Sequence, residues 1–416
     1  MARSVDVSPS GPLALPTTGI GSGWEPAAIM TLTLLLLSLG LVTLYSASAF
    51  LAQGQALPDY YYVLRQATGA VAGLAILGVC AWIPHDLWRR LALPMVIVAW
   101  LLLMFVIMPG TEDIAPLTKG ARRWIRVGAL SLQPSELAKV AVVVWTAARA
   151  VRKQDEFSSL SRGLLPFLLV WAALMIPIAL EPDLSTALLL GMIGCLVVYV
   201  AGARLTHFLF LGLLAAPILY NQLDVAFRAR RLIAYLDPSA DPAGAGFQVQ
   251  QSLLAFGSGG VAGVGFGQGR QKFGFLPEAH NDFIFAMIGE EWGLIGVTAT
   301  VLLYMLLILI GFRVASRAPD LFGQLLAVGL TSMMALQAVL HMAVGLRLVP
   351  ATGLVLPLIS YGRSHLVVTL ASLGILMSIS RASERPHPVG RRTRPVGRRT
   401  RPAGRGTRLV GRRARA

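Results

Sequence analysis

Ten long apolar segments limit what this chain can fold into. Each is close to the roughly 20 residues that an α-helix needs to cross the hydrocarbon core of a bilayer, and soluble cores rarely contain many such runs. Only 13% of the residues are charged, about half the fraction in an ordinary soluble domain. The sequence therefore predicts an all-α polytopic membrane protein. The predicted spans are residues 27–49, 63–84, 91–109, 134–151, 164–181, 184–202, 205–221, 283–312, 321–346 and 364–381.

The distribution of basic residues predicts the topology. Ten spans return both termini to one side, and residues 381–416 contain thirteen arginines and one glutamate. Dense Lys and Arg next to a final span favour the cytoplasm. We therefore predict that both termini are cytoplasmic and that a large outward loop joins helices 7 and 8. The predicted parts are a cytoplasmic N-terminal segment (1–26), a ten-helix membrane domain (27–381) with its outward loop (222–282), and a tail (382–416).

The tail repeats the segment Pro388–Arg394 as Pro395–Arg401. Proline and glycine in each unit exclude a continuous helix, so a disordered arginine-rich arm is predicted. Such an arm can bind anionic lipid headgroups or nucleic acid through phosphate charge. A solvated topology anchor is the favoured interpretation, and we expect no nucleic-acid partner.

Three of the predicted outward loops are basic, against the usual inward bias of Lys and Arg. Guanidinium groups bind phosphate oxygens in a bidentate fork, so these cations favour membrane lipids or a phosphate-bearing lipid substrate. The alternative is pairing with nearby acids, namely Glu112, Asp113, Asp224, Asp237 and Asp241. The basic residues are Lys119, Arg122, Arg123, Arg126, Arg228, Arg230, Arg231, Arg270, Lys272, Arg347 and Arg363.

The predicted loop 222–282 is by far the longest connection, and loops of that size are usually functional or disordered. Apolar residues set among glutamines predict a short interfacial helix over 246–256. Glycines then recur through 257–269. No strand precedes them, so a nucleotide-binding loop is excluded, and close backbone approach to a partner or substrate is favoured.

Asp282 follows this loop at the mouth of an apolar run. A charge at the edge of lipid is by default a functional-site hypothesis, and the alternative is a helix N-cap, which Asn281 could equally provide. A helix beginning here would carry Ala286, Gly289, Gly293 and Gly296 along one stripe, where small residues allow another helix to come close. Asp282 is therefore predicted to point into the protein.

Three further acidic residues also need an explanation. Glu290 and Glu291 lie along the same predicted helix and require cations or hydrogen-bond donors. Glu136 stands where a capping-box acid would lie, after Pro134 at a first helical position. It also shares a helix face with Lys139, so an ion pair directed into a cavity is equally consistent.

Several chemistries find no support. The six histidines show no metal-ligand spacing, no acid is placed to complete a zinc triad, and no Gly-x-Ser-x-Gly elbow is present. Cys80 and Cys195 both fall in apolar spans, which indicates no disulfide. The first apolar run is too long for a usual signal core, so it is predicted to be retained.

Four blocks of sequence together resemble the SEDS family of membrane glycosyltransferases, whose division and elongation branches are FtsW and RodA. They are Tyr45–Ser48, Gly120–Ile125 with Gln133–Glu136, the 257–296 block, and Leu356–Gly362. The resemblance implies a ten-helix fold and the polymerisation of lipid II, an undecaprenyl-pyrophosphate disaccharide-pentapeptide, into peptidoglycan. Leu276–His280 and Ile288–Glu291 look more like the division branch.

The resemblance also implies roles for individual residues. Asp282 looks like the family's essential outward carboxylate, which would act as the base of an inverting transfer with undecaprenyl pyrophosphate as leaving group. Arg122, Arg123 and Lys139 would stabilise the pyrophosphate. The residues establish no cofactor, and a divalent cation, Mg²⁺ or Mn²⁺, could bridge the pyrophosphate oxygens. The implied substrate-binding set is Arg122, Arg123, Trp124, Glu136, Lys139, Lys272, Glu278, His280 and Ser360.

Three departures from the family pattern bear on efficiency more than on reaction type. Asn281 replaces the usual threonine, His341 stands where asparagine is common, and Gly362–His365 replaces Gly-Gly-Ser-Ser. The implied partners are a class B penicillin-binding protein and other divisome membrane proteins, at the septum of the cytoplasmic (inner) membrane. The alternatives are a RodA-like elongation polymerase, a lipid II transporter (flippase) and a non-catalytic scaffold.

Overall fold

The structure, a computed structural model, describes residues 23–118, 120–128, 130–157, 159–222, 225–241 and 244–383. Most of the predicted N-terminal segment 1–26 lies outside these ranges, as do residues 384–416 of the predicted tail. Lys119 and Asp224 also lie outside them.

Helices account for nearly all of the secondary structure in the described ranges. The ten predicted spans correspond to ten of these helices, and the prediction of an all-α fold is confirmed; α8 and α9 are additional and lie in the long loop. The helices are α1 (Glu25–Gly54), α2 (Tyr61–Trp82), α3 (His85–Ile107), α4 (Pro134–Ala150), α5 (Leu165–Leu180), α6 (Leu184–Val200), α7 (Leu205–Asn221), α8 (Ala226–Leu236), α9 (Ala245–Gly259), α10 (Ile284–Ser316), α11 (Leu321–Gly345) and α12 (Arg363–Ser383).

Length and apolar composition qualify seven helical segments as membrane spans, and α6 and most of α7 are shorter apolar helices. A helix is present where one was predicted in the long loop, because α9 covers the 246–256 segment. The helix α4 has 17 residues and is not among these apolar helices. It leaves only Leu137, Trp145 and Arg149 partly exposed, so protein rather than lipid surrounds it.

Consecutive spans alternate in direction and bring their connections together at one end of the bundle. At that end α1, α3, α5, α7 and α11 finish and α2, α4, α6, α10 and α12 begin. A short antiparallel hairpin, β1 (Ile125–Val127) with β2 (Leu130–Leu132), lies there between α3 and α4. It contacts the start of α12 through Ser364, whose hydroxyl donates to the Ser131 carbonyl at 2.6 Å. We call this the Asp282 end.

The helix α10 is broken at Gly293, where the sequence predicts a continuous span. Gly293 has φ 64° and ψ −158°, a conformation that essentially only glycine adopts. The glycine-rich segment pairs with the break: the Val264 amide donates to the Glu290 carbonyl at 3.0 Å, and the Leu294 amide donates to the Gly260 carbonyl at 3.0 Å. The glycine run therefore serves close backbone approach within the chain.

The predicted small-residue stripe is correct in part. A Cβ on Gly289 would meet the Phe256 ring of α9 at 2.3 Å, so another helix does pack closely there. At Gly293 the neighbour is loop backbone, with the Gly263 nitrogen 2.3 Å from a built Cβ. The expectation that the stripe begins at Asp282 is wrong, because α10 begins only at Ile284.

Candidate functional site

Asp282 belongs to a tight turn that precedes α10. Glu278 has φ 56°, and its carbonyl accepts hydrogen bonds from the amides of Asn281 and Asp282, both at 3.0 Å. The N-cap of α10 is Phe283, and no side chain caps the helix. The N-cap alternative for Asp282 and Asn281 is therefore wrong. A turn, not a helix face, fixes the half-buried Asp282 carboxylate.

The segment before α12 holds this turn in place. The Ser360 hydroxyl donates to the Asn281 carbonyl at 2.8 Å and accepts from the Leu356 amide at 2.9 Å. The Tyr361 amide donates to the His280 carbonyl at 3.2 Å. Two residues of the predicted substrate-binding set, Ser360 and His280, thus lie beside the Asp282 turn.

Arg231 of α8 is a cation close to Asp282. Its Nη1 donates to the Ala351 carbonyl at 3.2 Å, and a Cβ built on Gly353, two residues further, would lie 3.8 Å from Asp282 Oδ2. Burial lowers the pKa of the Arg231 guanidinium, whereas the nearby carboxylates of Asp282 and Asp183 favour its charged form. The sequence identified Arg231 as an outward cation but gave no reason to place it in the site.

A second acidic segment, Glu181–Asp183, lies near Arg231 and Arg123. Asp183 caps α6 by accepting from the Thr186 amide at 3.2 Å, and its Oδ2 lies 3.8 Å from Arg123 Nη1. Glu181 is only 2% exposed, and neither of its carboxyl oxygens has a hydrogen-bond partner among the described residues. Burial, together with the charge of Asp183, raises the pKa of Glu181 to about 8, although Arg123 opposes this.

Sequence reasoning missed both acids of this segment. Two acids flanking a proline at the start of a span are a weak local signal, and nothing in the sequence indicated that the segment meets Arg123 and Arg231. At neutral pH a carboxyl group with this pKa is protonated and can donate a hydrogen bond.

The two adjacent arginines of the predicted set make different contacts. Arg123 donates to the carbonyls of Glu181 at 2.8 Å and Pro182 at 2.7 Å, so it fixes the acidic segment. Arg122 forms an ion pair with the exposed Glu112 at 2.6 Å, which is the pairing that the sequence allowed as an alternative to anion binding. Trp124 is half-buried just before β1.

Glu136 and Lys139 form the predicted ion pair, with 2.9 Å between Lys139 Nζ and Glu136 Oε1, and both are buried. The capping-box alternative is not supported, because no side chain caps α4. His365, one of the departures from the family pattern, completes a triad: its Nδ1 lies 2.9 Å from Glu136 Oε2. His341, another departure, is buried with its Nδ1 2.8 Å from the Leu354 carbonyl.

Lys272 lies in a separate buried cluster next to the broken helix. Its Nζ donates to Glu291 Oε1 at 3.2 Å and to the Ser46 hydroxyl at 2.9 Å. Glu290 accepts from the Arg270 amide at 2.8 Å. The expectation that both glutamates have partners is confirmed. These contacts tie the glycine-rich segment to α1 and α10, and they give Ser46 in the Tyr45–Ser48 block a structural role.

One group of metal-ligand type was not anticipated. At the opposite end of the bundle, ligand atoms of His85, Asp86 and Asp320 lie within 4.8 Å of one another. Asp320 Oδ1 also accepts from the Gly323 amide at 2.9 Å and therefore caps α11. Local spacing in the sequence could not indicate this group, because Asp320 lies 235 positions from His85.

Comparisons with known proteins give a consistent result. A family profile described as "Cell cycle protein", which covers FtsW, RodA and SpoVE, matches residues 27–385. The probable peptidoglycan glycosyltransferase FtsW of Geobacter sulfurreducens is 41% identical over 353 residues, which cover 85% of this chain and 94% of the relative. Stage V sporulation protein E of Bacillus subtilis is 40% identical over 361 residues, which cover 85% and 96%.

Two solved structures are similar as well. A chain from a study of the structural coordination of polymerization and crosslinking by a peptidoglycan synthase complex has a TM-score of 0.71 and 31% identity, covering 88% of this chain and all of that one. The rod shape determining protein RodA of Thermus thermophilus has a TM-score of 0.64 and 28% identity, covering 89% of this chain and all of RodA.

Proposed function

Because the chain belongs to the FtsW, RodA and SpoVE family of cell cycle proteins, we propose that it is a peptidoglycan glycosyltransferase that polymerises lipid II, with Asp282 as its catalytic base. The family resemblance predicted from the four sequence blocks is confirmed, and so is the ten-helix membrane fold. The reaction follows from the names of the relatives, which describe FtsW as a probable peptidoglycan glycosyltransferase.

The observation that carries the catalytic assignment is the position of Asp282 beside Arg231 at the end of the bundle. The turn from Glu278 and the Ser360 contact fix the backbone of Asn281 and Asp282, so little reorganisation is needed to present the carboxylate. The charge of Arg231 favours the ionised form of a carboxyl group. An ionised, fixed carboxylate is what a general base requires.

In the proposed reaction Asp282 accepts the proton of an acceptor sugar hydroxyl. The hydroxyl oxygen forms a bond to the anomeric carbon of the donor, and the bond from that carbon to the pyrophosphate oxygen breaks with inversion. The bonding electrons leave with the pyrophosphate, whose charge needs cations. Arg231 is the guanidinium placed best for this role, because Arg122 is paired at the surface and Lys139 is buried with Glu136.

A divalent cation is compatible with these residues. Asp282 and Asp183 both flank Arg231 and supply carboxylate oxygens, the ligands that Mg²⁺ and Mn²⁺ prefer. If bound, the ion would neutralise charge on the pyrophosphate. The proton transfer to Asp282 and the charge stabilisation by Arg231 do not require the ion.

The test is polymerisation of fluorescent lipid II by purified protein in detergent, followed on gels that resolve glycan length. Asp282→Asn keeps the shape and removes the basicity, and we expect a loss of about 10²–10⁴-fold. Asp155→Asn is the matched control, because Asp155 is an exposed aspartate between α4 and α5, at the opposite end of the bundle. Normal polymerisation by a folded Asp282→Asn variant would reject the assignment.

The same assay addresses the transporter alternative. Detergent micelles have no two sides, so a protein that only moves lipid II across a bilayer forms no polymer in them. Absence of polymer from the wild-type chain, under conditions in which a related polymerase is active, would favour transport.

We further propose a role in division, with both termini in the cytoplasm and Asp282 on the outer face of the membrane. Support comes from relatives named FtsW at 41% identity, although Stage V sporulation protein E at 40% is nearly as similar. The similar chain from a peptidoglycan synthase complex supports a class B penicillin-binding protein as partner. Depletion should give filaments; round cells would indicate the elongation role instead.

A further inference from the structure

Three aromatic side chains form a cluster beside the Asp282 turn. Tyr62 lies in the first turn of α2, His280 lies two residues before Asp282, and Tyr361 lies just before α12. The ring centroids are separated by 5.3 Å between Tyr62 and Tyr361, 5.4 Å between Tyr62 and His280, and 5.9 Å between His280 and Tyr361. All three are half-buried, so each is only partly covered by protein.

Backbone and amide contacts fix the position of these rings relative to Asp282. Gln66, one helical turn after Tyr62, is buried; its Nε2 donates to the Ser360 carbonyl at 3.0 Å, and its Oε1 accepts from the Gly362 amide at 3.1 Å. One side chain of α2 thus clamps the segment that carries Tyr361. The Tyr361 amide in turn donates to the His280 carbonyl at 3.2 Å. The cluster is therefore preorganised.

The surroundings of the rings are basic. Arg65 donates to the Tyr61 hydroxyl at 2.7 Å and lies over the Tyr61 ring, 5.4 Å from its centroid. Arg363 donates to the Ser131 hydroxyl at 3.3 Å. Burial raises the pKa of the Tyr361 phenol, and both guanidiniums are close enough to oppose that effect. The cluster thus combines aromatic surface with positive charge at the end of the bundle where Asp282 lies.

A pyranose ring attached to a diphosphate fits such a surface. The face of an aromatic ring is electrostatically negative, so it attracts the weakly positive C–H hydrogens that cover one side of a pyranose ring. The neighbouring guanidiniums suit the charge of the diphosphate. Ordinary packing of apolar side chains would also fix the three segments, but it would need neither ring faces nor cations.

We propose that Tyr62, His280 and Tyr361 form a sugar-binding wall on which a pyranose ring of the lipid-linked substrate packs, next to Asp282. This inference rests on the proposed function, because it identifies the sugar subsite of that reaction. It assigns to the three rings the part of the affinity that depends on the saccharide and not on the lipid or diphosphate.

The test compares two ligands of the full-length protein in detergent: lipid II without its pentapeptide, and undecaprenyl diphosphate, which lacks the sugars as well. The dissociation constant for undecaprenyl diphosphate divided by that for the lipid-linked disaccharide isolates the contribution of the saccharide. Tyr361→Leu and Tyr62→Leu should each reduce this ratio about five- to tenfold, since one aromatic contact is removed. Tyr361→Phe and Tyr62→Phe keep the ring and should change it less than about twofold.

Tyr60→Leu is the matched control, because Tyr60 is 58% exposed and only two residues from Tyr62. We expect it to leave the ratio unchanged. If the leucine variants weaken both ligands equally, the rings only support the fold and the proposal is overturned. Failure of the wild-type chain to polymerise lipid II would instead reject the proposed function, and the two failures are therefore distinguishable.

A second measurement uses the unmodified chain and does not depend on the folding of variants. Tyr62 and Tyr361 are nitrated with tetranitromethane, and the extent is read by mass spectrometry. Lipid II without its pentapeptide should protect both tyrosines more than undecaprenyl diphosphate does at equal site occupancy. Equal protection by the two ligands would overturn the proposal.

Discussion

Glu181 should make the stability of this protein depend on pH between about 4.5 and 8. The residue is buried, and neither carboxyl oxygen has a hydrogen-bond partner among the described residues. Replacing it by glutamine keeps the size of the side chain and removes the ionisation. Glu181→Gln therefore isolates the effect of the charge.

The sign and size of this pH dependence follow from the pKa of Glu181, which burial raises from an ordinary 4.5 to about 8. Between these values the folded protein keeps a proton that the unfolded chain has released. The stabilising contribution is full below pH 4.5 and is lost as pH rises through 8. Each pH unit in that interval lowers the free energy of unfolding by about 1.4 kcal/mol, so the loss over the whole interval amounts to about 5 kcal/mol.

The assay is thermal unfolding of the purified protein in detergent across pH 5–9, for wild type and Glu181→Gln. The Tm of the variant relative to that of the wild type should increase as pH rises, by on the order of 5–10 °C at pH 9. Glu112→Gln is the matched control, because hydrogen bonds from its own backbone and from Arg122 lower the pKa of Glu112. Its titration lies below the tested range. Parallel Tm curves for wild type and Glu181→Gln would refute the reasoning.

Three further predictions concern other residues. Gly293→Ala should destabilise the protein by about 3 kcal/mol or more, because φ is 64° and a Cβ would lie 2.3 Å from the Gly263 nitrogen. Gly257→Ala, which meets nothing within 4 Å, should be neutral in the same thermal assay. Lys139→Met should cost about 3–5 kcal/mol, since it removes the ammonium partner of the buried Glu136 carboxylate and leaves only the His365 contact; a loss under about 1 kcal/mol would contradict this. Arg122→Gln should change stability by less than about 1 kcal/mol, as expected for an exposed pair, whereas Arg123→Gln should lower both Tm and polymerisation. Equal effects of the two arginine variants would count against the distinct roles assigned to them.

Features set by short-range chemistry were predictable from the sequence. The ten spans follow from the length of the apolar runs, and the Glu136–Lys139 pair follows from a spacing of three on a helix. The need of Glu290 and Glu291 for partners followed from the cost of buried charge, although the identity of those partners did not. Such arguments depend on neighbours along the chain or on a general property of the membrane.

Features set by distant contacts were not predictable. The Gln66 clamp on Ser360 joins residues 294 positions apart, and Arg123 fixes carbonyls 58 and 59 positions away. The start of α10 at Ile284 depends on the turn at Glu278, whose positive φ no side chain signals. The apolar pattern through Gly293 gave no indication of a break. The backbone groups on either side of Gly293 are hydrogen-bonded by loop 260–265, which is a different segment of the chain.

The break in α10 separates the short part of the helix that follows the Asp282 turn from the longer part that crosses the bundle. Residues 284–292 pack on α9, where the rings of Phe285 and Phe256 lie 5.5 Å apart. The longer part is held by other contacts, including a hydrogen bond from the Tyr304 hydroxyl to the Pro357 carbonyl. Since the glycine-rich segment bonds to both sides of Gly293, its position sets the angle between the two parts. The direction of residues 284–292, which follow the Asp282 turn, therefore depends on the loop 260–274 and its Lys272–Glu291 pair.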